Sequence, residues 1–592
     1  MKVLIVAINA KYIHSNLAAY SLRAYAMKNL PKELHEEVQI EIAEYTINQY
    51  PEQILEDIYR RKPDMTAVSC YIWNIGYVEA IVPELHKVLP EADIWLGGPE
   101  VSYDAQKVLE RLPAVRGVML GEGELTFTQL ICAYVQTTEE SSEHMAYTLN
   151  KIRGITYTGF MTQLSQRKLQ EEMGERSKLT VLPDLLDMDD LVFPYTEFDE
   201  NRIMYYESSR GCPFNCAYCL SSIDKSVRLK SIELVQKELD IFLQHKVKQV
   251  KFVDRTFNCN HRHAMEIWKY IKENDNSVTN FHFEIAADLI TEEEIQLLKS
   301  MRPGLMQLEI GVQSVHDATI EEINRKTDFD KIKKVVGELQ TAHNIHIHLD
   351  LIAGLPKEDY DTFVISFNQV YALKPEQLQL GFLKVLKGSP MADRAEEYQI
   401  QYLSRAPYEV LSTKWIAYEE ILRLKAVEEM LELYYNSNQF VHTIGLLEQK
   451  FEDGFSLYKS LADFYETSGY RIQQPSRLKR YEILFEFAEK YDSERLDLYR
   501  ESLALDLYLR ENVKNRPNFL LPMDEYRDRM QQFYREDGLR QRYLPEYAEY
   551  DSRQVSKMTH MEFFKHYNHE VILFDYQDRD PLTQNAKIIK VE

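Results

Sequence analysis

Three cysteines stand close together in Arg210-Gly211-Cys212-Pro213-Phe214-Asn215-Cys216-Ala217-Tyr218-Cys219, spaced C-x-x-x-C-x-x-C. At that spacing, in a loop containing Gly and Pro, three thiolates can reach one small inorganic centre. A four-iron cluster on three thiolates keeps one iron with open coordination, and that iron needs a ligand from outside the protein. Two other chemistries use the same residues: a zinc site short of one ligand, or a disulfide with one thiol left over. Zinc sites favour paired C-x-x-C units, and no second pair occurs in the chain.

The remaining cysteines, Cys70, Cys132 and Cys259, are scattered, so none is expected to be a ligand and no second cluster is expected. The six together form no disulfide framework, and a chain of 592 residues buries enough surface to need none. The apolar start, Met1 to Asn9, is too short for a signal peptide and has no cleavage site. No run reaches the roughly 20 apolar residues of a membrane span. A cytoplasmic protein without membrane contact is expected. Seventy Lys and Arg against 94 Asp and Glu give a net charge of −24, which works against binding to nucleic acid or anionic lipid.

The elements that would position the cysteines come in blocks. In residues 1–135, strand patterns (Val3–Ile8, Val38–Ile42, Thr66–Tyr71, Ile94–Leu96, Gly117–Leu120) alternate with helical ones (Leu17–Leu30, Glu52–Arg61, Val78–Leu89, Glu124–Val135). Continuous apolar strands in such alternation predict a doubly wound parallel sheet of flavodoxin or Rossmann type. Ligands of these sheets sit beyond the strands' carboxyl ends, which carry Asn9 to Tyr12, Cys70 to Asn74, Gly97-Gly98-Pro99-Glu100 and Gly121-Glu122-Gly123-Glu124. No G-x-G-x-x-G follows the first strand, which argues against a dinucleotide. Ordinary tight turns would use the same glycines.

Residues 136–200 read as a polar linker with short strands possible at Ile155–Tyr157 and Leu179–Leu182, and with Phe193-Pro194-Tyr195 as an anchor at its end. In residues 201–390, six strand patterns alternate with helices: Ile203–Glu207, Val250–Val253, His282–Ala286, Leu305–Ile310, Ile345–Leu351 and Leu378–Val385. They predict a partial (β/α)6 TIM-like barrel with functional groups at its carboxyl ends. Residues 391–592 are mainly helical, with apolar stripes such as Leu411, Trp415, Tyr418, Leu422 and Leu431, and end in a hairpin of His569–Tyr576 and Ala586–Val591.

The cysteine loop, with Tyr218 just before the third cysteine and Gly211 and Pro213 flanking the first, resembles the signature of radical S-adenosylmethionine (SAM) enzymes. A G-G-P-E turn, then a G-E-G-E turn, then that loop resembles the cobalamin-binding proteins of this superfamily, one group of which has a helical C-terminal domain of unknown function. The resemblance covers residues 1–390. It implies a [4Fe-4S] cluster on Cys212, Cys216 and Cys219, with SAM on the open iron. It places Tyr218, Asp254, Glu284, Asp288, Glu309, Gln313, Ser314 and Leu386 near SAM, although strand-end acids serve equally as rim ion pairs or helix caps. It places cobalamin against Asn9, Tyr12, Tyr71, Trp73, Gly97, Gly98, Glu100, Gly121 and Glu122. The usual D-x-H-x-x-G motif is missing, and of His14, His35 and His86 only His14 lies near a strand's carboxyl end. Cobalamin without a histidine ligand is therefore expected.

The activity so implied is methyl transfer to an unactivated carbon of a small-molecule or natural-product substrate, with electrons from a flavodoxin or ferredoxin. Cobalamin-dependent cyclisation or rearrangement is the rival within the class. A methylthiotransferase would need three cysteines in the first domain, where only Cys70 and Cys132 occur. A non-catalytic iron–sulfur scaffold is the third class. The strand-rich and helix-rich blocks leave the substrate itself unspecified.

Overall fold

The first strand, β1 (Lys2–Asn9), is buried from Val3 onward, as its unbroken apolar run requires. It pairs in parallel with β2 (Gln39–Thr46) and β3 (Met65–Ser69), and β4 (Asp93–Gly97) and β5 (Gly117–Met119) continue the parallel sheet. The order β2-β1-β3-β4-β5-β6 reverses direction between β1 and β3, which is the switch point where such sheets take ligands. Alternate residues of β1 feed two apolar layers, one through Leu4, Val6 and Ile8, the other through Val3, Ile5 and Ala7. The sixth strand, β6 (Ile155–Tyr157), runs antiparallel to β5 and follows a helix over Ser142–Leu149. The short strand expected at Ile155–Tyr157 is thus present, and with it the expected linker begins as an edge of the sheet.

The computed structural model describes residues 1–136, 142–158, 182–567 and 570–591. The polar stretch Gln163–Ser177, the expected strand Leu179–Leu182 up to its last residue, and His569 lie outside the described residues.

The second sheet uses β7 (Met204–Tyr206), then, after a hairpin of β8 (Ser209–Arg210) and β9 (Arg228–Leu229), β10 (Gln249–Phe252), β11 (Asn280–Ile285), β12 (Met306–Gln313), β13 (Ile345–Ala353) and β14 (Gln377–Phe382). Its strands stand in chain order with β7 and β14 at the edges, an open, partial barrel. The registers of β7, β10 and β11 are parallel. Behind the ends of β10 and β11, Phe252, Phe257, Trp268 and Phe283 pack with centroids 4.3–6.1 Å apart where Phe283 meets the other three. Such ring contacts add about 0.5–1.5 kcal/mol per pair beyond buried area and stiffen the turn that follows β10. The expected anchor is present: Tyr195 is buried, and its hydroxyl donates to the Tyr205 carbonyl at 2.7 Å.

The chain divides into two compact units, one of Met1–Leu308, Ile320–Asp328 and Phe382–Lys414, the other of Glu309–Thr319, Phe329–Gly381 and Trp415–Glu592. In the second unit the helices Gly454–Thr467 and Arg477–Tyr491 bury the expected stripes of Tyr458, Leu461 and Tyr465 and of Tyr481, Leu484 and Ala488. The first expected stripe holds only at Leu431, which the helix Tyr418–Leu431 buries. Leu411 belongs to a short strand, β16 (Val410–Ser412), paired with β15 (Gln401–Tyr402), and the helix starts only at Tyr418. That helix buries Ile421, Leu424 and Val427 and leaves Tyr418 and Leu422 exposed. The terminal hairpin, β18 (Val571–Arg579) and β19 (Ala586–Lys590), gains a third antiparallel strand, β17 (Thr559–Phe563). No helix among the described residues is long and apolar enough to cross a membrane.

Candidate functional site

The cysteine loop leaves the carboxyl end of β7 through the β8–β9 hairpin, where Ser209 faces Leu229 and Arg210 faces Arg228. Gly211 has φ +95°, and a Cβ there would stand 2.1 Å from the Ser226 carbonyl oxygen, so the chain turns into the loop only with glycine. Three backbone bonds then fix it: Cys212 N–H to Asp224 O at 3.1 Å, Ala217 N–H to Ile323 O at 2.8 Å, and Met391 N–H to Ala217 O at 2.9 Å.

All three cysteines are free thiols; Cys212 and Cys216 are buried and Cys219 is partly so. The Thr256 hydroxyl lies 3.7 Å from Cys212 Sγ, and Arg325 Nη1 lies 3.6 Å from Cys216 Sγ and 3.2 Å from the Tyr218 hydroxyl. Burial pushes the Cys216 thiol up, and the guanidinium works the other way. Among the described residues no three His, Cys, Asp or Glu side chains gather as a single metal ion requires. Three thiols on one pinned loop, outside any disulfide, with donors facing Cys212 and Cys216, are the groups that would hold a polynuclear centre. Cys70 is wholly buried, its thiol pushed up to about 12, and Cys132 lies on the helix Glu124–Gln136. Cys259 ends the turn after β10, its thiol raised by burial and by Cys212 nearby.

At the switch point, Tyr71 and Trp73 stack with centroids 4.4 Å apart, and Trp73 donates to the Ile8 carbonyl at 3.1 Å. Trp73 is 42% and Tyr12 57% exposed. Asn9 is buried and committed to His14 O and Glu44. His14 Nδ1 meets the Tyr205 hydroxyl at 2.7 Å, and burial with Lys11 and Lys251 lowers its pKa. Next to Gly97, Gly98 has φ +112°, and a Cβ there would stand 2.5 Å from the Cys70 carbonyl oxygen. A stacked aromatic pair with Trp73 at the surface, beside backbone that tolerates no side chain, suits a large planar ligand.

The acids expected on that face are engaged elsewhere. Glu100 is buried, 2.9 Å from Lys387 Nζ, and accepts from Tyr408; Lys387 also meets Asp104 at 3.3 Å. Arg210 is enclosed by Glu122 (3.1 Å), Glu124 (2.6 Å) and Glu207 (2.6 Å), and Glu122 also pairs with Arg228. Burial pushes the Glu124 carboxyl up, and Arg210 more than offsets this, leaving it lowered. Gly121, beside Glu122, abuts Pro183.

Asp254, at the end of β10, is fully buried and accepts from Ser208 N (2.9 Å), Ser208 Oγ (2.6 Å) and Ser209 Oγ (2.5 Å). Desolvation raises it to about 6 despite those bonds. Glu284 lies 3.9 Å from Lys251, and Asp288 accepts from Asp328 N at 3.3 Å. Leu386 is half-buried in the turn after β14. In the other unit, Ser314 donates to Glu358 at 2.6 Å, and burial raises Glu358 to about 7. Gln313 sits at φ +72°, and its buried Oε1 has no partner among the described residues. A left-handed, non-glycine strand end with an open acceptor is the strain expected of a ligand contact. Glu309 lies midway along β12. Sequence reasoning missed Arg210, Thr256, Arg325 and Lys387. Arg210 alone had a local signal, its place directly before the cysteine motif.

Three family models match: "B12 binding domain" over residues 3–131, "Radical SAM superfamily" over 206–370, and "Protein of unknown function (DUF4080)" over 396–581. The chain is 25% identical over 371 residues to "Cobalamin-dependent radical SAM methyltransferase TokK" of Streptomyces tokunonensis, covering 59% of this chain and 51% of that protein. It is 28% identical over 320 residues to "2-(S-pantetheinyl)-carbapenam-3-carboxylate methyltransferase" of Streptantibioticus cattleyicolor, covering 51% and 44%. It thus spans about half the length of these curated relatives. Its fold is that of the cobalamin-dependent SAM radical enzyme OxsB, solved with aqua-cobalamin and SAM bound, at a TM-score of 0.54 and 14% identity over 86% of this chain and 83% of that one.

Proposed function

We propose that this chain, a radical SAM superfamily protein with a B12-binding domain before its barrel and a DUF4080 domain after it, is an enzyme that methylates an unactivated carbon of a small-molecule substrate. One observation carries the reading. The cysteine loop and the switch-point aromatics belong to a single compact unit, each at the carboxyl end of a parallel strand. When bound, a [4Fe-4S] cluster with SAM supplies a carbon radical for hydrogen abstraction, and cobalamin supplies a methyl carrier.

The chain's own residues bind and orient. Cys212, Cys216 and Cys219 hold the cluster, and Thr256 and Arg325 place donors at two of its sulfurs. Tyr71 and Trp73 offer the corrin a face to stack on. Engagement of His14 with Tyr205 and the missing D-x-H-x-x-G support cobalamin without a histidine ligand. Tyr103 lies so close to Gly388 that a Cβ there would meet its ring at 2.5 Å, so the turn after β14 holds glycine at that point. A cytoplasmic flavodoxin or ferredoxin is the electron source this reading requires.

The test is anaerobic incubation of reconstituted protein with hydroxocobalamin, methyl-labelled SAM and dithionite. Formation of both 5′-deoxyadenosine and S-adenosylhomocysteine, with label on cobalamin, is expected. Production of 5′-deoxyadenosine alone would replace methylation by rearrangement or cyclisation, and neither product would leave a scaffold.

A further inference from the structure

Two contacts with the cysteine loop come from one short segment. Within Ile320–Asp328, the Ile323 carbonyl accepts from Ala217 N–H at 2.8 Å, so the segment grips the loop's backbone between the second and third cysteines. Asn324 then adopts φ +53°, an uncommon conformation for a residue with a side chain, and the next residue is Arg325. Its Nη1 reaches Cys216 Sγ at 3.6 Å and the Tyr218 hydroxyl at 3.2 Å. A guanidinium keeps its charge across the whole range of pH in which proteins fold, so the group facing that sulfur is a cation. Cys212, by contrast, meets only the neutral hydroxyl of Thr256, at 3.7 Å.

We propose that Arg325 is a positioning residue that raises the reduction potential of the cluster by donating a charged hydrogen bond to the sulfur of Cys216. The inference rests on the radical SAM reading above. Adding one electron to an iron–sulfur cluster puts more negative charge on its sulfurs. A donor at sulfur therefore stabilises the reduced form more than the oxidised one, and net charge and hydrogen bonds to sulfur both set the potential. A guanidinium supplies both, and the Tyr218 hydroxyl engages the same Nη1 that faces the sulfur, at 3.2 Å. The reaction is a simple one-electron uptake: the cluster is reduced, the external donor is oxidised, and Arg325 neither gains nor loses a proton.

The test is stepwise redox poising of reconstituted protein without SAM, following the reduced cluster by electron paramagnetic resonance, with iron counted in each sample. For Arg325→Gln, the oxidised-to-reduced ratio at the unsubstituted protein's midpoint is expected to rise about tenfold, which is about 59 mV for a one-electron couple. Arg325→Lys, which keeps the charge but not the planar donor, should fall between. Tyr218→Phe, which leaves all three ligands and the arginine in place, should shift the same way by less. Unmoved midpoints in Arg325→Gln and Arg325→Lys, with about four irons per chain retained, overturn the inference. If Arg325→Gln takes up no iron, an unmoved midpoint in both Arg325→Lys and Tyr218→Phe overturns it instead. Failure of the unsubstituted protein to take up about four irons would sink the radical SAM reading itself, a different result from an unmoved potential.

Discussion

The carboxyl end of the N-terminal sheet does two opposite things with its side chains. Beyond β1 and β3, aromatic rings reach the surface: Trp73, stacked on the half-buried Tyr71, and Tyr12, more than half exposed although its hydroxyl donates to Asp199 at 2.9 Å. Beyond β4 and β5, carboxylates are closed off, Glu100 by Lys387 and Tyr408, Glu122 and Glu124 by Arg210. The first region is left open to a ligand, and the second spends its polar groups joining the sheet to the cysteine-loop hairpin and to the turn after β14. Proximity to a strand's carboxyl end is thus not enough to assign a residue to a cofactor. Whether its side chain is enclosed or left at the surface decides more: Trp73 and Tyr12 stay exposed, while Glu100 and Glu124 are buried.

The largest effect should come from the closed region. Arg210→Met leaves Glu122, Glu124 and Glu207 facing one another, and a loss of about 3–5 kcal/mol is expected at pH 7, read from the first urea transition. Because the lowered Glu124 carboxyl contributes stability above its unfolded value and loses it as pH falls, the gap between the two proteins should narrow toward pH 4. An equal gap at both pH values would break the comparison.

Asp254 sharpens it, since it is buried with hydroxyls and no cation. Its carboxyl is raised to about 6, so its contribution to stability is complete below the unfolded value and lost as pH rises through about 6. A shift of about two units is worth on the order of 3 kcal/mol. In Asp254→Asn the fall in stability between pH 4 and pH 7 should shrink by that order, the opposite sign to Arg210→Met. A slope unchanged from the unsubstituted protein would refute this.

The open region should give the smallest effects on stability and a selective one on binding. Trp73→Ala is expected to weaken hydroxocobalamin binding by about tenfold at most, the scale of one lost ring contact, with the melting midpoint unmoved. In the same titrations the cob(II)alamin spectrum should lack nitrogen superhyperfine splitting, in His14→Ala as in the unsubstituted protein. Splitting that vanished with His14, or melting that fell with Trp73, would show that this face is not the open ligand surface described.

Much of this was legible because it is local. Three cysteines within eight positions announce themselves, and β1 and the helix stripes at Tyr458 and Tyr481 follow from periodicity carried over many residues. What escaped depends on distance along the chain. Arg210 and Glu124 are 86 residues apart and Arg325 and Cys216 are 109 apart, and no periodic pattern links such pairs. Short elements escaped too. β16 has three residues, and β17 has five directly behind a helix, too few for alternation to stand out from the helical pattern around them. At Tyr418 and Leu422 the error was of face: large apolar residues at helical spacing lay on the exposed side, while Ile421, Leu424 and Val427 formed the buried one.

The bond between Lys387 and the Glu100 carbonyl spans 287 residues, and that interval is also a time. A ribosome adding about 5–20 residues per second needs roughly 15–60 s to cover it. For most of that interval, once β5 and β6 have been made, the first domain can fold while Glu100 and Asp104 wait for a cation still to be translated. A nascent first domain therefore presents a more acidic rim than the finished protein, until the ribosome has passed Lys387, about two thirds of the way along the 592-residue chain.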